Sequence, residues 1–96
     1  MNDNVVQVDF KRRKRRSVFE WEQAVPEGDT IQIGASNRIY SYGPRVETAD
    51  KAAEPPTEGQ SPQFWGVYEW IDAWKRWRWI SDFATAIQAS DYIASH

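Results

Sequence analysis

Hydrophobic and polar positions alternate along most of the chain, and the period lengthens only towards the C-terminus. Val6, Val8 and Phe10 fall on one side of an extended segment. From Ser17, Val18, Glu20 and Glu22 alternate with Phe19 and Trp21. Pro26-Glu27-Gly28-Asp29 is a turn cluster. Thr30-Ile31-Gln32-Ile33 and Arg38-Ile39-Tyr40-Ser41-Tyr42 are short β-rich runs, and Gly34-Ala35-Ser36-Asn37 between them predicts a hairpin. Gly43–Gln63 holds Pro44, Pro55, Pro56 and Pro62, with only Val46 suited to a core, and is expected to be one long loop.

Phe64–Ile71 is dense in aromatic and β-branched residues, and Asp72-Ala73-Trp74-Lys75 is a candidate turn. In Arg76-Trp77-Arg78-Trp79, charge alternates with indole as in a half-buried strand. As a strand, 64–71 places Trp65, Val67 and Ile71 on one face and Phe64, Tyr68 and Trp70 on the other, so both faces are apolar. Thr85 and Gln88 have the spacing of a capping box and predict a helix with Ala86, Ile87, Ala89, Ser90, Ile93 and Ala94. A rival pattern exists. Val67, Trp70, Ile71, Trp74, Trp77, Ile80 and Phe83 also follow three- and four-residue spacings, with Ser61-Pro62 as a helix start. Aromatic enrichment, Gly66 and the two-residue alternation at 76–79 favour the hairpin.

Composition narrows the chemistry. The chain has 96 residues, 41% of them hydrophobic and 27% charged, which fits one globular domain. No apolar run approaches the roughly 18 residues of a membrane helix, and the N-terminal residues do not fit a secretory signal. The absence of cysteine excludes disulfides and thiolate sites and suits a reducing cytoplasm. The only histidine is His96, so the usual base of a serine or cysteine nucleophile is missing. No phosphate loop, dinucleotide fingerprint or metal-ligand spacing occurs, and Glu20 with Glu22 has no partner group nearby in sequence. The expectation is a non-enzyme without cofactor or metal.

The net charge of −2 conceals an asymmetry. Lys11, Arg12, Arg13, Lys14, Arg15 and Arg16 are consecutive, whereas residues 17–96 hold six basic and twelve acidic side chains, a net of −6. Extended, the run reaches about 20 Å and can follow several phosphates or an acidic protein surface. It also reads as a solvated tail, or as one that pairs with the acidic body. Six tryptophans, Trp21, Trp65, Trp70, Trp74, Trp77 and Trp79, serve first as core. Trp74, at the turn, is the candidate for an exposed binding anchor. Lys75, Arg76 and Arg78 interleave with indoles, a pattern that suits stacking on single-stranded nucleic acid; the simpler picture has indoles inward and guanidiniums in water.

The opening Met1-Asn2-Asp3-Asn4-Val5-Val6-Gln7 before the basic run, and the passage Trp79-Ile80-Ser81-Asp82-Phe83-Ala84-Thr85 into an alanine-bearing helix, resemble the layout of small phage and plasmid proteins. Among these are the anti-CRISPR and other anti-defence inhibitors. The resemblance covers about half the chain and includes no specific motif, so it carries over no functional residue. It implies stoichiometric inhibition of a host nucleic-acid-handling protein or ribonucleoprotein complex in the bacterial cytoplasm. The alternative is a DNA- or RNA-binding accessory protein using the basic arm. The expected architecture is α+β: a small antiparallel sheet of four to five short strands, one C-terminal helix and a basic N-terminal arm. The arm is expected at 1–16 and the single domain at 17–96, with a Pro-rich loop at 43–63.

Overall fold

A computed structural model of the protein describes Arg16–Ser17 and residues 25–96. The segment Val6–Phe10, the basic residues Lys11–Arg15 and the alternation around Phe19 and Trp21 lie outside the described residues. The elements in chain order are β1 (Arg16–Ser17), β2 (Thr30–Ile33), β3 (Ile39–Glu47), β4 (Ala52–Glu54), β5 (Phe64–Ile71), β6 (Arg76–Phe83) and α1 (Ala86–Ala94). Strands β2 to β6 form an antiparallel sheet, so the α+β class read from the pattern is the observed one.

β3 is the axis of the sheet. One of its edges pairs with β5, Tyr40 opposite Glu69 and Arg45 opposite Phe64. The other edge is shared by β2, along Ile39–Tyr42, and by β4, along Val46–Glu47. β6 extends the sheet beyond β5, with Ile71 opposite Arg76 and Trp65 opposite Phe83. Between the pairs Val67–Ser81 and Tyr68–Trp79, β6 carries the additional residue Ile80, a bulge that locally turns the strand. β1 pairs with β4 in the parallel sense, Arg16 opposite Ala52.

One expectation is corrected. Residues 43–63 are not one loop: β3 continues to Glu47, β4 occupies Ala52–Glu54, and only the 48–51 turn and 55–63 lie outside strands. Pro44, which argued for a break, lies between the β2-paired and β4-paired stretches of β3, where no neighbour needs its missing N–H. Its carbonyl accepts from Arg45 Nη1 at 2.7 Å. Arg16, the last residue of the basic run, pairs in the sheet with Ala52.

α1 lies across one face of the sheet. Ala89 and Ile93 pack with Tyr40 and Val67, and Tyr42, Trp65, Ile80, Phe83 and Tyr92 surround them. Thr85 caps the helix, its hydroxyl accepting from Gln88 N at 3.1 Å, and Gln88 Oε1 accepts from Ala84 N at 3.1 Å. At its other end the helix meets the β2–β3 turn, where Ser36 N–H and hydroxyl both donate to His96 O. Gly34 permits this approach, since a Cβ there would meet Tyr40 at 2.9 Å and His96 and Ile93 backbone atoms at 3.1 Å.

The opposite face holds a second cluster of Tyr68 and Trp77 with Val25, Trp70 and Trp79. Beside it lies a buried ion pair. Arg45 grips Asp29 through two parallel bonds, Nη1 to Oδ1 at 2.9 Å and Nη2 to Oδ2 at 2.8 Å, and both side chains are almost wholly buried. Ser41 donates to Asp29 Oδ2 at 3.0 Å, and Arg45 Nε reaches the Tyr68 hydroxyl at 3.3 Å. Burial depresses the Arg45 guanidinium, but bonding to Asp29 and the field of Tyr68 outweigh it and hold the pKa above its ordinary value. Gly43 makes room for the pair, because a Cβ there would overlap the Asp29 carboxylate.

Candidate functional site

The antiparallel order brings the β2–β3 turn and the β5–β6 turn to one end of the sheet. At the second turn, Trp74 N donates to Ile71 O at 3.1 Å and Lys75 N to Asp72 O at 3.2 Å. Lys75 adopts φ 54°, the left-handed step that returns the chain to β6. The Asp72 side chain ties the apex, accepting from Lys75 Nζ at 2.9 Å and from Trp70 Nε1 at 3.5 Å. Hydrogen bonding from Lys75 and then from Trp70 holds the Asp72 carboxyl below its ordinary pKa.

Trp74 projects from this apex with 56% of its surface exposed, whereas Trp77, on the adjoining strand, is 5% exposed. Trp70 meets Trp77 edge-on at 5.3 Å, and Trp79 Nε1 donates to Asp82 at 3.0 Å. Trp74 is thus the exposed large aromatic of the hairpin, and Trp77 the buried one. Arg76 and Arg78 are exposed and lie on the helix side of β6, opposite in sense to Trp77 and Trp79. Of the basic run, only Arg16 is among the described residues, and its pairing with Ala52 does not bring it to the hairpin end.

Sequence reasoning missed Arg38, Glu69 and an isoleucine patch. Arg38, far from residues 74–78 in the chain, is brought to the same end by the pairing of β3 with β5. Glu69 lies between Arg38 and Arg78, at 3.5 Å and 3.0 Å. Ile31, Ile33 and Ile39 are exposed on the face opposite the helix, at the same end as the Trp74 turn. The alternation of 30–33 showed that half of the strand is apolar; which half would remain uncovered depended on the helix crossing the other face. The end is thus apolar on one side and cationic on the other, with Trp74 at the apex.

A shallow cleft of about 700 Å³ between β6 and α1 is lined by Phe83, Gln88, Asp91 and Tyr92 among others. Among the described residues no group of three or more His, Cys, Asp or Glu is placed to hold a metal ion. No described helix is long and apolar enough to cross a membrane. Comparison with family models, curated proteins and solved structures yields no match to this chain.

Proposed function

We propose that the protein is a non-catalytic binding module that docks on a partner protein through the β5–β6 hairpin end. The observation that carries this reading is the exposed Trp74 at a braced turn, beside Lys75 and close to Arg76 and Arg78. An indole held at a rigid apex loses little conformational freedom on binding and buries a large area, which is why tryptophan is enriched among the residues that dominate interface energies. The resemblance of layout supplies the class of partner: a protein or ribonucleoprotein complex that handles nucleic acid in a bacterial host. The action proposed is occlusion of a surface of that complex, as anti-defence inhibitors of phages and mobile elements act.

The test is affinity capture from bacterial lysate with and without nuclease. A partner retained after nuclease and lost with Trp74→Ala supports docking on protein. Loss of all partners on nuclease treatment would replace this reading with nucleic-acid binding by Lys11–Arg16.

A further inference from the structure

Glu69 sits within β5 with its side chain only 9% exposed, directly across from Arg78 on β6 and diagonal to Arg38, which immediately precedes β3. A buried carboxylate facing one arginine forms a neutral pair, but this one faces two. Arg78 Nη2 donates to Oε1 at 3.0 Å, and Arg38 Nη1 approaches Oε2 at 3.5 Å. Each guanidinium carries five N–H donors, so most remain available after the contact with Glu69. The side chains of Arg38 and Arg78 are 61% and 47% exposed, so those donors can be reached from solvent. Tyr92, stacked on His96 at 4.0 Å, borders the cluster: its phenol is pushed up first by burial and then by Tyr40 and Glu69, with Arg78 opposing. We infer that Arg38 and Arg78, oriented by Glu69, form a fork that binds side-chain carboxylates of an acidic partner segment. The inference rests on the protein-docking reading and names the chemistry of the partner.

Carboxylate is favoured over a phosphate backbone by the state of the cations. Phosphate backbones gain affinity through many neutralised charges, each releasing a counterion. Here Lys75 is already matched with Asp72, and Arg38 and Arg78 share Glu69; among the described ion pairs, none includes Arg76. Planar guanidiniums match carboxylates, as they do phosphates, in two-bond geometry, so the small number of cations at this end decides between the two. Ile71 and Trp74 nearby offer apolar contact suited to peptide side chains.

The test is a site-resolved NMR titration of the isotope-labelled full chain. One sample receives an oligoglutamate peptide and another an oligothymidylate of matched charge. The Nε–Hε signals of Arg38 and Arg78 are expected to shift with oligoglutamate. Arg38→Gln, an exposed change, should weaken that response about tenfold, the size of a lost charge-assisted bond, without altering the rest of the spectrum. Arg78→Lys keeps the charge but not the fork and should also weaken it. Shifts confined to Lys11–Arg16 would overturn the proposal, as would a tighter response of Arg38 and Arg78 to oligothymidylate. Partner capture that depends on Trp74, with no oligoglutamate response at the fork, would sink this inference and leave the docking reading intact. An oligoglutamate response at the fork, with capture unaffected by Trp74→Ala, would do the reverse.

Discussion

Trp77 and the Asp29–Arg45 pair show how single side chains set the stability of the sheet face opposite the helix. Trp77 packs against Tyr68 and Trp70, so Trp77→Ala should cost about 3–5 kcal/mol in chemical denaturation. Its Nε1 is buried without a hydrogen-bond acceptor, a desolvation cost of about 1–3 kcal/mol that the native protein tolerates. Trp77→Phe removes that donor along with some volume and should therefore lower stability far less than Trp77→Ala, by about 1 kcal/mol or less. Asp29→Ala removes the two-bond carboxylate partner of a buried guanidinium and is expected to cost about 3–5 kcal/mol. That Trp77 and Trp79 share a face was legible from the alternation at 76–79; which tryptophan would stay exposed was not, because Trp74 lies in the turn outside that alternation. The ion pair was not: Pro26-Glu27-Gly28-Asp29 reads only as a turn, and nothing local says that its last carboxylate folds back over Gly43 to reach Arg45.

At the level of elements, the caps and turns were the most readable parts. Thr85 and Gln88 mark the helix start, and Thr85→Ala should reduce stability by about 0.5–2 kcal/mol in a thermal or denaturant melt. Gln88 reaches Ala84 N, one residue before the cap, which spacing alone could not distinguish from the usual reciprocal box. The β5–β6 turn should show its own titration signature. Because Lys75 lowers the Asp72 pKa, the apex contact is present above the ordinary carboxylate value and is lost as pH falls through the lowered one. Carboxyl chemical shifts in Lys75→Gln should place Asp72 back towards its ordinary value; an unchanged midpoint would show that Lys75 does not brace the turn. β3 was only half legible. Proline in a strand argues against the strand, and that rule failed at Pro44 because the neighbouring strands divide there.

Across the described part of the molecule, most of the basic side chains lie towards one end of the sheet. Glu47, Asp50 and Glu54 gather around the β3–β4 turn, next to the strand where Arg16 pairs. Arg38, Lys75, Arg76 and Arg78 lie towards the opposite end. The sequence showed a basic arm on an acidic body, but not that Arg38 would join residues 75–78, since that depends on the long-range pairing of β3 with β5. Replacing Lys11–Arg16 with glutamine should slow association with the partner more than it speeds dissociation, as steering charges do. A log affinity against log salt slope near −5 on duplex DNA, about −0.9 for each of six neutralised phosphates, would instead assign the run to nucleic acid. Docking through the hairpin end is tested by comparing the affinity of the captured partner for the wild type and for Trp74→Ala, with melting temperatures recorded for both. The account predicts binding weakened by about 2 kcal/mol or more at an almost unchanged melting temperature. Equal affinity for the two proteins, or a loss of binding that only tracks a loss of stability, would contradict it.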